Sequence, residues 1–436
     1  MKRTISKILS LIATSALLLN LTACGGKTST SSNNSGDKGA VTIQIWSQFT
    51  DQKSTDGNSI AFYKALEAAE KEFPDIKLEH SSAANDVYKT KIKTAMAANE
   101  LPDIFFTWGA SFAEPMVKAG LVLPLDDYLN DGTKDKLMPG TVENFTYDGK
   151  IYGLPYSVAS ANLYCNKELF EKNNLKVPET YEDLVAAVKV FNEKGVTPIS
   201  LGEKDLWPGL MVYGIIGTRA VGAKEMSEVL QKKKSFDTPE MLSGVQKLKE
   251  LVDLKAFGPN PLGVSEDDAV SAVKQGKAAM MFMGSWVNGD FEGDNSLVKG
   301  KVVPIKFPVL PGGKGNIDEF HGGSGETFMV SANTKEKEAS VKVAKFICET
   351  MSKEQYLAGS GAPAWKGDMG DTSKLNPLSI KVSDLTKSAS GYVYWLDVMT
   401  NPKSAETINN AIAQLIAGKI TPEEFCKELQ KINTAE

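Results

Sequence analysis

Strands that alternate with helices of about 10 to 15 residues constrain this chain more than any other feature, because such alternation builds parallel βαβ units. Val41 to Trp46 alternates apolar and polar residues as a half-buried strand does. Ile60 to Phe73 then shows helical spacing at Phe62, Leu66, Ala69 and Phe73, and stops at Pro74. A second strand, Ile76 to His80, precedes a helix from Asp86 to Ala98, and Leu101 to Trp108 supplies the third strand. The predicted fold class is α/β. In open α/β sheets ligands bind beyond the carboxyl ends of the strands, which places Trp46, Gln48 and Trp108 at one edge.

After Pro155 the pattern restarts with an apolar strand, Ala161 to Cys165, and helices over Lys167 to Asn173 and Thr180 to Lys194. Asp183, three residues beyond Thr180, gives the second helix a capping-box start. Thr238 to Leu254 and Glu266 to Gln275 read as amphipathic helices, and Ala278 to Met283 as a buried strand running into Gly284 and Trp286. The proline-bearing stretch Val302 to Leu310 reads as a crossover, not a central strand. Glu326 to Ser331 is a strand after a Gly-rich turn, Lys335 to Met351 a helix, and Ser404 to Ala417 and Pro422 to Ile432 terminal helices.

At the amino end, Lys2, Arg3 and Lys7 precede an apolar run, Ile8 to Leu19, and a small-residue site ending at Cys24. The run is shorter than the roughly 20 residues a spanning helix needs. Residues 1–24 resemble a bacterial lipoprotein signal, in which Cys24 becomes the lipidated first residue. The expected location is the extracytoplasmic face of the cell membrane, held by a lipid anchor. Residues 25–40, rich in Gly, Ser, Thr and Asn, are expected to be a flexible linker. The roughly 410 residues that follow Cys24 exceed the usual size of one domain, so two lobes are the natural division.

Removing three of the 49 Lys and Arg with the signal leaves 46 against 54 Asp and Glu, a net charge near −8. That balance gives no footprint for nucleic acid. Cys165, Cys348 and Cys426 are odd in number and far apart, unlike a disulfide framework. Cys348 and Cys426 read as buried free thiols, and a disulfide at Cys165 stays open. With only His80 and His321 as imidazoles, acid–base and metal chemistry is severely limited, and no HExxH, CxxC, GxSxG or GxxxxGK[ST] motif occurs. Ser271 and Lys274 form an SxxK tetrapeptide, but it lies in an amphipathic run without KTG or SDN. No metal or cofactor is expected.

Several segments together resemble the extracellular solute-binding proteins of carbohydrate ABC transporters, the group that includes the maltodextrin-binding protein. They are Ile43 to Trp46, Leu101 to Phe105, Tyr152 to Pro155, Asn166 to Phe170, Lys277 to Met281 with Gly284 to Trp286, and Gly418 to Glu424. Their order covers nearly the whole chain after Cys24. The resemblance implies a two-lobed, type II-like periplasmic-binding-protein fold that encloses its ligand by hinge closure. On this reading, 41–155 with 304–360 forms one lobe and 156–303 with 361–436 the other, with crossings near Pro155, Val303 and Gly361. The implied protein is a monomeric receptor, not an enzyme, that delivers a neutral sugar, most simply an oligosaccharide, to membrane permease subunits.

A sugar offers apolar C–H faces and a rim of hydroxyls, so its site needs flat aromatic platforms with carboxylates and amides beside them. Trp286 matches a sugar-stacking tryptophan of the maltodextrin-binding protein, and Trp108 and Trp207 fall in segments similar to that protein's site. Trp46, Gln48, Trp365, Trp395, Asp397 and Glu326 complete the candidate set. Ala159 stands where the maltodextrin-binding protein has a sugar-binding carboxylate, and Cys165 where related proteins usually have Tyr, so maltose is not assigned. Within the binding class the alternative is a receptor for a polyol, a glycerol-phosphate or a peptide. A structural or adhesive lipoprotein is a third reading, and a secreted glycoside hydrolase that uses Glu326 and Asp397 a remote one. An anionic ligand is disfavoured because Arg219 is the single arginine after the signal.

Overall fold

In the computed structural model, which describes residues 41–50 and 56–434, the apolar residues gather into two cores, each built on its own sheet. The signal, Cys24 and the linker read from the sequence lie outside the described residues. The first core holds Ile43, Ile45, Ile104 to Phe106 and Phe328 to Val330. Its sheet has the strand order Ile76–Ser82, Val41–Ser47, Ile104–Trp108, Glu326–Val330, Gly153–Pro155. Val41–Ser47 runs parallel to both neighbours, as βαβ connection requires, whereas Glu326–Val330 is antiparallel to both of its own. The connecting helices are Gly57–Glu72, capped by the Asp56 carboxylate on the N–H groups of Asn58 and Ser59, and Asn85–Ala98, which ends at left-handed Asn99.

The second core surrounds Ser157–Asn166, which lies centrally in a sheet ordered Gly391–Val393, Glu319–Gly323, Ser157–Asn166, Ala278–Gly284, Thr197–Ile199. Every residue of Ala278–Gly284 is buried, the pattern of a strand covered on both faces. Helix Trp207–Val221 is buried from Pro208 onward and so carries no polar stripe. The capping box at Thr180 and Asp183 forms as its spacing predicts. Cys165, Cys348 and Cys426 are buried free thiols. Among the described residues, no helix is long and apolar enough to cross a membrane.

The chain passes between the sheets three times: at Tyr156, at Ser324–Gly325, and at Gly359–Gly361 after helix Lys337–Ala358. The second passage corrects the crossing expected near Val303. Val302–Ile305 pairs antiparallel with Leu163 to Asn166, and Glu319–Gly323 also joins the second sheet, so the segment from 304 to 323 does not belong with the first. Val302–Ile305 has Ser157–Asn166 as its one partner strand, and such an edge tolerates Pro304. The passages converge because the first four residues of Ser157–Asn166 pair with both of the others: Ser157 and Val158 with Pro363 and Ala362, Ala159 and Ser160 with Gly323 and Gly322.

Leu163 sits in the middle of this strand with no exposed surface. Leu163→Ala is expected to lower unfolding free energy by about 2–5 kcal/mol, through lost burial and the cavity left behind. Denaturant titration of the two proteins measures the difference, and a change below about 1 kcal/mol would show that the second core closes around the gap.

Candidate functional site

The carboxyl ends of Val41–Ser47 and Ile104–Trp108 and the N-termini of helices Gly57–Glu72 and Asn85–Ala98 come together at one edge of the first sheet, as the strand-end rule predicts. There they line a cavity of about 580 Å³ whose opposite wall is built by the second core. The first sheet and its helices contribute Gln48, Asp56, Asn58, Lys89, Trp108 and Glu326. From the second come Trp207, Glu266, Lys274, Trp286, Asp290 and His321, and the segment after Gly391–Val393 adds Trp395 and Asp397.

Three indoles form a continuous wall. The Trp207 and Trp286 ring centroids are 6.0 Å apart and those of Trp286 and Trp395 are 5.6 Å apart. Gly284 makes room for this wall, since a Cβ there would overlap the Trp286 ring. Behind Trp395 the His321 imidazole stands edge-on at 4.8 Å. Its Nδ1–H donates to the Val393 carbonyl at 2.9 Å, and burial holds its pKa down at about 4, so the ring is neutral at physiological pH.

Among the described residues, six carboxylates line the cavity: Asp56, Glu266, Asp267, Asp290, Glu326 and Asp397. The two lysines among those residues are both ion-paired with members of that set, Lys89 with Asp397 at 3.0 Å and Lys274 with Asp290 at 3.0 Å, and none of the described lining residues is an arginine. Arg219 is spent elsewhere, donating to the carbonyls of Phe307, Asn316 and Glu319. Burial pushes the Glu266 carboxyl up to about 8, with Asp267, Asp56, Asp290 and Asp205 adding like-charge repulsion. Burial also raises Asp56, against the hydrogen bonds of its capping role. Glu326 is raised by burial in the same way, opposed by donors from Tyr156 and Trp108.

Of the nine residues singled out in the sequence, Gln48, Trp108, Trp207, Trp286, Glu326, Trp395 and Asp397 line this cavity. Trp46 does not. It shares the strand face of Thr42 and Gln44, opposite buried Ile43 and Ile45, and Lys91 Nζ lies 3.8 Å from its ring centroid. Trp365 is also elsewhere: it is buried in the first core, and its Nε1–H donates to the Pro155 carbonyl at 2.6 Å. Trp108 lines the cavity while almost wholly buried, its ring packed on Phe106, Phe112 and Tyr88. Sequence reasoning missed Asp56, Lys89, Glu266, Lys274 and Asp290. The readable signal for Asp56 was its position just ahead of a helix that starts at a strand's carboxyl end. In sequence, Lys274 stands out only as half of an SxxK pair.

Comparison with known proteins follows the same lines. The family described as bacterial extracellular solute-binding protein matches residues 54–350. An uncharacterized ABC transporter extracellular-binding protein of Pyrococcus horikoshii is 28% identical over 356 residues, covering 77% of this chain and 79% of its own. A solved structure from work on xylan utilization by the thermophilic bacterium Caldanaerobius polysaccharolyticus superimposes with a TM-score of 0.86 and 43% identity, covering 90% of this chain and 99% of that one. A chitin oligosaccharide binding protein gives a TM-score of 0.82 and 26% identity over 91% and 98% of the two chains.

The raised Glu266 pKa has a stability consequence. An acid whose folded pKa lies above its unfolded value is held protonated by the fold, so stability is lost as pH rises from the unfolded pKa, near 4.5, through about 8. Glu266→Gln is therefore expected to leave stability at pH 4.5 nearly unchanged. At pH 8.5 it should raise it by about 1–3 kcal/mol, the group being partly open to solvent. Thermal or urea unfolding across that range tests this, and parallel pH profiles for the two proteins would refute it.

Proposed function

The chain belongs to the bacterial extracellular solute-binding proteins, and on that premise we propose that it captures a neutral oligosaccharide for an ABC importer, closing around it and passing it to the membrane permease. The wall of Trp207, Trp286 and Trp395 carries this reading. The three indoles, tilted at 56° and 77° to their neighbours, offer apolar surface to the C–H faces of a sugar, while the carboxylates and amides beside them accept and donate at the hydroxyl rim. The likeness to the xylan-utilization protein and the chitin oligosaccharide binding protein supports the same ligand class and makes xylo-oligosaccharides the first candidates. Glu326 and Asp397, the pair a hydrolase would need, are engaged by Tyr156 and Lys89, which favours a receptor. Acting as a monomer and tethered through Cys24, the protein would work next to its permease.

Charge supports neutrality of the cargo. Among the described lining residues the two lysines are already paired with Asp397 and Asp290 and, apart from the neutral His321, the remaining ionisable groups are acids, so a uronate, phosphate or sulfate meets no free cation there in a partly desolvated space.

Calorimetry against xylo-, chitin- and malto-oligosaccharides is expected to show binding to at least one neutral series. A uronic-acid-bearing chain of the same length should bind at least about tenfold more weakly. Trp286→Ala should weaken binding by about 10- to 100-fold. Affinity within twofold of wild type would remove the tryptophan wall from the site, and no binding of any saccharide by folded, ligand-free protein would overturn the reading. Cys24→Ala should move the protein from the membrane fraction to the medium in a radiolabelled-lipid experiment, and unchanged lipid incorporation would refute the anchor.

A further inference from the structure

We propose that Tyr156 and Glu326 form a clasp that joins cavity occupancy to the hinge, Glu326 meeting the ligand and Tyr156 acting as the positioning residue that holds it. The inference rests on the receptor reading above, and its evidence lies in how the three passages between the sheets are fastened together.

Tyr156 is the one residue between Gly153–Pro155 in the first sheet and Ser157–Asn166 in the second, and it is fully buried. Its hydroxyl donates to Glu326 Oε2 at 2.6 Å. Glu326 is the first residue beyond the second passage, Ser324–Gly325, and lies opposite Trp108 in the sheet register. This side-chain hydrogen bond therefore adds a tie between the first and second passages to the backbone pairing that flanks them. The third is tied to the first by the Trp365 Nε1–H on the Pro155 carbonyl. Of these fasteners, Glu326 is the one that also lines the cavity, so a sugar hydroxyl that donates to its carboxylate touches the hinge directly.

Unmatched polar groups mark the same region. The hydroxyls of Ser324, Ser360 and Tyr394 are buried and find no hydrogen-bond partner among the described residues. Ser324 and Ser360 lie on the second and third passages, and the Tyr394 ring presses on Gly325, where a Cβ would overlap it. Buried hydroxyls are normally satisfied, and a hinge that alternates between two arrangements cannot satisfy all of its polar groups in each. The Tyr156–Glu326 clasp, by contrast, is made in this arrangement. A ligand hydroxyl on Glu326 would hold the carboxylate in the position Tyr156 requires, which favours the arrangement of the passages seen here by differential binding.

The test uses spin labels at Val87→Cys and Leu297→Cys, exposed positions on the first and second sheets' sides, with distances between them read by pulsed electron resonance. Tyr156→Phe, which removes one hydroxyl, is expected to broaden the distance distribution with and without oligosaccharide. It should also speed oligosaccharide release about 10- to 100-fold with little change in association rate, the loss expected for a hydrogen bond to a carboxylate. Glu326→Gln keeps an acceptor for Tyr156 and should restrict the distances more than Glu326→Ala does. In a double-mutant cycle, Tyr156→Phe should add little to Glu326→Ala. Wild-type distances and release rate in Tyr156→Phe, or full additivity in the cycle, overturn the clasp. If no saccharide binds the wild-type protein the receptor reading fails instead, and the ligand-free distances still decide whether the clasp restrains the hinge.

Discussion

Backbone pairing at residues 157–160 is the constraint on which the rest of the structure depends. Within four residues, Ser157–Asn166 binds the segments that follow the third passage and precede the second, while its own start is the first. The joint between the two cores is thus a short piece of sheet. Its partners are held by main-chain hydrogen bonds, so the passages cannot wander independently, and motion is confined to the peptides just outside the ladder. The strand ends and helix N-termini that face the cavity take their positions from this joint.

The cavity combines two kinds of surface that suit one kind of guest. Indole faces favour apolar C–H surfaces, and carboxylates are strong acceptors for hydroxyl donors. Left alone, six carboxylates in a shared, partly desolvated space would repel one another. Lys89 and Lys274 offset two of them, and burial shifts Glu266 and Asp56 toward the neutral form. A protonated carboxyl can also donate, so the wall is able to serve both donor and acceptor hydroxyls of a sugar.

How much of this was readable in the chain depended on whether the signal was local. The parallel strands and their helices had clear periodicity, and the strand-end rule brought Gln48 and Trp108 to the correct edge. Trp46, one residue from the end of its strand, was lost to pleat parity, which sends alternate side chains to opposite faces. Trp365 lies near a passage in sequence, yet its indole N–H is needed by a carbonyl in the joint. Helix Trp207–Val221 was invisible to an amphipathic template because it is buried on all sides. The acidic residues from helix N-termini could be grouped only once the two halves were folded against each other, since no sequence spacing joins Asp56 to Glu266.

The strand Ala278–Gly284 encloses Met280 on one face and Met281 and Met283 on the other with almost no exposed surface, and the three thiols are equally enclosed. In an extracellular family such sulfur atoms face oxidants without the cell's reductases at hand, and enclosure is what keeps them reduced. Thioether oxidation therefore waits on opening of the second core. How long one molecule lasts outside the cell is then tied to how rarely that core opens, so the dense packing of the strand that leads into the tryptophan wall also shields the molecule's sulfur from oxidants.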